Sequence, residues 1–252
     1  MENHSIFGSR RPCMRNSELD LPSLRFGLGR AFLLAANYFI GHQFVYPFLL
    51  SFVVLGLQPE AVEFPLWALI VLHTVTFVTT IWIALPLLKE SLVGLRHNFT
   101  KTLLTPWVIF PLMYLTSIAV AMLTMWASGQ AMPGNENAID QLFTESPMFT
   151  LALTIVFAPI VEELVFRGAF YRYFRSKGYF WLPILLSSLS FALIHISVAL
   201  TMGNYAELWF IPLYGTLGVF LCVAYEKTGN LYGAILLHFI YNSVSMILAM
   251  LA

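Results

Sequence analysis

Charge is what this sequence has least of: 13 Lys and Arg and 13 Asp and Glu among 252 residues, 10% of the chain. Soluble domains carry nearer a quarter, and so few charged side chains cannot cover a globule of this size. A soluble fold is thereby excluded. The formal net charge is zero, so there is no basic excess for a nucleic acid to recognise, and no nucleic-acid partner is expected. Cysteine is nearly absent. Cys13 lies in a polar amino-terminal stretch and Cys222 in an apolar one, which leaves neither a disulfide framework nor a thiolate cluster for zinc. Internal repeats and low-complexity tracts are missing as well. What fills the chain is apolar: 59% hydrophobic residues and a mean hydropathy of +0.77. The expected fold is all-α, a polytopic transmembrane helical bundle embedded in the lipid bilayer.

Apolar runs of spanning length, about 20 residues each, fall at 31–56, 65–88, 106–127, 147–173, 180–202, 208–225 and 230–251. Seven membrane helices are predicted, or eight if the basic linker 89–105 (Lys89, Arg96, Lys101) dips into the membrane rather than lying along its surface. The fourth helix is predicted to outlast its apolar part, because Arg172 and Arg175 can sit at the water boundary. Residues 1–30 read as a basic cytoplasmic tail with Arg10, Arg11, Arg15, Arg25 and Arg30, ahead of a transmembrane domain over 31–252. The tail is not a cleavable signal peptide, since the apolar run after it is too long and has no small-residue cleavage pattern.

The charges also orient the chain. Every Lys and Arg falls in the tail, the 89–105 linker, the 172–179 turn, the Glu226–Lys227 turn or at Arg167. The opposite loops hold Glu60, Glu63, Glu136, Asp140, Glu145 and Glu207, and no Lys or Arg. By the positive-inside rule this puts the amino terminus in the cytoplasm and the carboxyl terminus outside a plasma (inner) membrane. The six tryptophans near the run ends fit an aromatic belt.

Against this background the stretch 159–173, PIVEELVFRGAFYRY, is anomalous. It places Glu162, Glu163 and Arg167 inside a membrane helix, where each charge costs at least ~2.5–3.5 kcal/mol. Glu163 and Arg167 are i,i+4 and face each other, so they can compensate. Glu162 points about 100° away and is left available. Two carboxyl groups in different environments are a common sign of divided acid and base roles. Folding helices four and five as a hairpin about Lys177-Gly178-Tyr179 puts Glu162 and His195 equally far from the turn, hence at one depth. His238 and Asn242 are i,i+4 on the last helix, Asn242 ~20 Å from its inner turn and so near the same level. The first boundary charge, Arg172, is ~15 Å from Glu162, and access from the cytoplasmic side is expected.

Each element has a plainer reading. Glu163–Arg167 fits a structural ion pair, and a lone His195, His238 or Asn242 fits a hydrogen bond between helices. His42 and His73, with no acidic companion, read as packing residues, and Phe191 as an apolar residue one turn before His195. The convergence of an unpaired carboxylate, two histidines and an amide at one depth is what favours chemistry. The ligand types would also suit zinc, although no His-Glu-x-x-His is present and Asn is a poor fourth ligand. A proton-coupled transporter is a further option, weakened by the lack of an inverted repeat, and a non-catalytic membrane scaffold another.

Glu-Glu-x-x-x-Arg (Glu162, Glu163, Arg167), Phe-x-x-x-His (Phe191, His195) and His-x-x-x-Asn (His238, Asn242), in this order on successive membrane elements, resemble the CPBP family. These are the CAAX-prenyl-protease and bacteriocin-processing intramembrane glutamic endopeptidases, also called Abi. The resemblance covers about 147–251, the expected catalytic core. It implies a membrane-embedded peptidase without metal or other cofactor, acting on a membrane-associated peptide or protein. It further implies that Glu162 and His195 activate water, that Glu163 and Arg167 orient the site, and that His238 and Asn242 hold the oxyanion. Nothing in the sequence defines the substrate or the oligomeric state.

Overall fold

The computed structural model describes residues 27–251; the predicted tail, with Cys13, Arg10, Arg11, Arg15 and Arg25, lies outside the described residues apart from 27–30. The chain runs through α1 (Leu28–Leu57), α2 (Leu66–His97) and α3 (Phe99–Ser128), then the short amphipathic α4 (Gly134–Glu145). It continues through α5 (Pro147–Ser176), α6 (Trp181–Thr201), α7 (Tyr205–Thr228) and α8 (Leu231–Leu251). Among the described residues there is no strand. All but α4 are long and apolar enough to cross a membrane, seven in number as the hydropathy pattern predicts.

Two connections differ from expectation. The 89–105 stretch is no surface linker: α2 runs to His97 and α3 starts at Phe99, with Asn98 alone out of helical geometry (φ −122°, ψ 38°). Its Leu, Lys, Glu and Arg are strong helix formers, so the helix continues where the apolar run stops. The 128–146 loop likewise contains α4, whose Ile139 turns inward while Glu136 and Asn137 stay accessible.

The centre of the bundle is α5, with Val161, Leu164, Val165, Phe166 and Arg167 fully buried. The helices meet through small residues, as membrane helices do where packing replaces the hydrophobic effect. A Cβ on Gly168 would collide with Leu87 of α2, and one on Gly218 of α7 would lie 2.7 Å from the Ser188 Cα of α6. The outer faces carry exposed Phe32, Phe48, Trp82, Trp107 and Leu115, which lipid would cover.

Three stretches widen into π-helix: Asn37–Val45 in α1, and Ala152–Phe157 and Leu164–Tyr171 in α5. Such widenings shift the side-chain register and are frequent at functional sites. In α5 one lies just before Pro159, whose missing N–H and bulky ring disrupt the ordinary i→i−4 ladder.

Candidate active site

The α-helical turn Ala158–Glu163, between the two π-widened stretches of α5, presents its two carboxylates to different neighbours. Glu163, fully buried, accepts from Arg167 Nη1 at 3.0 Å through Oε1, the i,i+4 pair expected from spacing. The same oxygen lies 2.9 Å from His238 Nδ1 of α8. Arg167 Nη2 donates to the Gly218 carbonyl at 2.8 Å. The guanidinium also lies 4.9 Å from the centroid of the Phe191 ring. Glu163 and Arg167 thus tie α5 to α6, α7 and α8.

Glu162 is placed differently. Its Oε2 has no hydrogen-bond partner and stands 4.0 Å from both His195 Nε2 and His238 Nε2. That is beyond direct hydrogen bonding and suits one small bridging molecule. His195 is oriented by its Nδ1, 2.7 Å from the Phe191 carbonyl. A carbonyl can only accept, so Nδ1 carries the proton and Nε2 presents a lone pair toward Glu162. The imidazole is sandwiched between Phe191, centroids 4.4 Å apart, and Tyr214, 4.6 Å apart at 27°. Asn242 lines the same cavity, one turn beyond His238; its Nδ2 donates to the Thr154 carbonyl at 2.8 Å, leaving its second N–H uncommitted. The structure therefore brings together Glu162, Glu163, Arg167, His195, His238 and Asn242, with Phe191 as a wall between His195 and Arg167.

Several lining residues escaped the sequence reading. Tyr38 of α1 donates its hydroxyl to Glu162 Oε1 at 3.5 Å, and nothing distinguished it from other aromatics in an apolar run. The site is therefore not confined to 147–251. His42 and His73, read as packing residues, line the same cavity as Glu162. His42 Nδ1 lies 2.9 Å from Thr76 Oγ1, and the two rings meet with centroids 5.2 Å apart. Their other partners are the Leu69 carbonyl, 2.8 Å from His73 Nδ1, and the Phe157 ring, as packing residues would have.

The cavity, of about 630 Å³, leads from Glu162, His195 and His238 past Asn242, Tyr214 and Tyr241 to Met132, Asn135, Glu136 and Asp140. It thus runs to the end of the bundle that carries the acidic loops, not toward the basic end from which access was expected. The basic end is closed by ion pairs. Arg172 reaches Glu90 of α2 at 2.5 Å, Arg175 reaches Glu226 of α7 at 2.6 Å, and the Tyr171 hydroxyl donates to Glu226.

Residues 144–244, which hold all three motifs, match the family model described as type II CAAX prenyl endopeptidase Rce1-like. This segment is thus similar to that family of CAAX prenyl endopeptidases, the kind of membrane peptidase its three motifs resemble. Among curated proteins it is 32% identical over 115 residues to UPF0177 protein YbdI of Lactococcus lactis subsp. lactis (strain IL1403), covering 44% of this chain and 57% of that protein. It is 27% identical over 191 residues to the membrane-embedded CAAX protease MroQ of Staphylococcus aureus (strain USA300), covering 72% and 73%. UPF0177 protein YvdC of the same Lactococcus strain is 25% identical over 142 residues, covering 56% and 51%. The matched region thus spans little more than half of YbdI and about half of YvdC. No solved structure matches the chain.

Proposed function

We propose that this chain is a metal-independent glutamic endopeptidase that hydrolyses a peptide bond in a membrane-associated protein or peptide. The observation that carries the reading is the unpartnered Glu162 Oε2, equidistant from His195 Nε2 and His238 Nε2 at the end of an accessible cavity. A water between Glu162 and His195 can donate a proton to one of them while its oxygen attacks the scissile carbonyl, and the proton then passes to the leaving amine. Such proton transfer contributes ~10²–10⁴-fold. The uncommitted N–H of Asn242, and His238 once its Nε2 holds a proton, are the donors for the oxyanion, each typically worth ~2.7–4 kcal/mol. Glu163 and Arg167 hold His238 and Phe191 in place. Tyr38 steadies Glu162 from the other side, so that Oε2 rather than Oε1 faces the histidines.

CAAX-type tail removal is the substrate class that the family model and the MroQ similarity support, and leader-peptide processing is the one that the CPBP resemblance adds. In the orientation expected from the charge partition, amino terminus inside and carboxyl terminus outside, the cavity mouth faces outward. The test is comparative peptidomics of membranes carrying the wild-type chain or Glu162→Gln. Peptides that appear only with the wild type support the reading, and identical peptide populations reject it.

A second reading rests on residue type alone: carboxylate plus two imidazoles is a donor set that zinc accepts, but among the described residues no such group is arranged to hold a metal ion. Activity lost to a chelator and restored by zinc would replace the water-only mechanism with this one.

A further inference from the structure

Beyond His195 the cavity changes character. The Tyr214 ring that stacks on His195 is followed by Tyr241 and Tyr114, whose centroids lie 5.8 Å apart. Over these rings sits α4, with Glu136 and Asp140 one turn apart and both lining the cavity. The helix is pinned there because the Gly134 N–H donates to Glu207 Oε1 at 3.0 Å. Tyr214 is only 2% exposed, and its hydroxyl, beside the Asn135 side chain, makes no hydrogen bond of ordinary geometry. Among the described residues no Lys or Arg lines the cavity. Glu136 and Asp140 keep surface open to water and also line the mouth of the cavity, where burial on the cavity side and the neighbouring Asp140 push the Glu136 carboxyl up.

We propose that Glu136, Asp140 and the Tyr214 hydroxyl, with the rings of Tyr241 and Tyr114, form a subsite for a cationic side chain, Lys or Arg, of the peptide substrate. The carboxylates supply charge-assisted hydrogen bonds, the rings supply cation–π attraction, and the tyrosine hydroxyl supplies an acceptor. Because Tyr214 touches His195, the cation sits close to the scissile bond. That placement rests on the peptidase reading; the preference for a cation does not.

Two measurements separate the claims. Quenched-fluorescent peptides that differ only in Lys, norleucine or Glu at successive positions are offered to the chain in nanodiscs, and kcat/KM is measured. The same peptides, labelled, are bound to Glu162→Gln and followed by fluorescence anisotropy. At one position Lys is expected to exceed norleucine by about tenfold in both measurements, a size typical of a partly desolvated cation site. In Glu136→Gln/Asp140→Asn the ratio falls toward one, and in Glu136→Lys/Asp140→Lys the Glu peptide becomes the preferred one. Cleavage without charge preference, or a preference that survives both double variants, overturns the subsite and leaves the peptidase reading standing. Lys-selective binding without cleavage of any peptide upholds the subsite and rejects the peptidase reading. Neither cleavage nor selective binding overturns both. Gel filtration of each variant confirms that the loss is not one of folding.

Discussion

At the basic end of the bundle, Arg172 and Glu90, and Arg175 and Glu226, pair across helices, and α2, α5 and α7 close on one another. At the acidic end, Glu162 and Glu207 have no Lys or Arg within ion-pair distance among the described residues, and a cavity separates the helices. The difference between the ends lies in partnering. A buried charge that finds its opposite ties helices together, whereas one that does not must be kept for something else, because leaving it bare is costly. The Glu162-Glu163 dipeptide holds both behaviours in adjacent residues.

The largest expected effect comes from removing the unpartnered oxygen itself. Glu162→Gln should lower peptide cleavage by at least ~10²-fold while the protein stays monodisperse in detergent. Loss of the folded protein instead would place Glu162 with the structural charges. Next is the partnered side of the same turn: Arg167→Ala strands Glu163 in the core and should destabilise the bundle by ~3–5 kcal/mol, read as a lower midpoint of thermal unfolding. A variant of unchanged stability would erase the distinction between the two carboxylates. Arg175→Gln at the basic end leaves Glu226 with the Tyr171 hydroxyl as a remaining partner, so it should destabilise the bundle less than Arg167→Ala does. Cleavage should continue there.

The smallest effect concerns α4. The carboxyl of Glu136 is pushed up by enclosure and by Asp140, so its neutral form is the one the folded helix favours. Stability from that preference is fully present below the ordinary carboxylate range and is lost as pH rises through the raised value. Amide exchange of residues 134–145 should therefore speed up, beyond its intrinsic base catalysis, as pH rises through that value. Glu136→Gln should remove that pH dependence, and a dependence that persists would shift the effect to Asp140 or Glu207.

Much of this was legible in the residues. Seven spans follow from hydropathy because the bilayer imposes a fixed length of apolar helix, and Glu163–Arg167 follows from helical spacing because i,i+4 neighbours must meet. The shared depth of Glu162 and His195 was readable from the short turn between their helices. The continuation of α2 to His97 was not, since hydropathy marks where lipid contact ends and not where the helix ends. Nor was α4, whose mixed composition resembles a loop. Tyr38 and Tyr214 could not be assigned, because each gains its meaning from a partner on another helix.

The amino-acid sequence by itself determined that the chain is a membrane-spanning helical protein with charges it could not tolerate without purpose, and which of those charges could compensate within one helix. Those are consequences of solvent and of local geometry. Only the tertiary structure decided that Glu163 also holds His238, that Glu162 Oε2 faces two imidazoles, and that the cavity runs to the acidic end beneath Glu136 and Asp140. Contacts between helices depend on how π-widened turns and glycine approaches set their rotation, and one-dimensional spacing carries no record of that rotation.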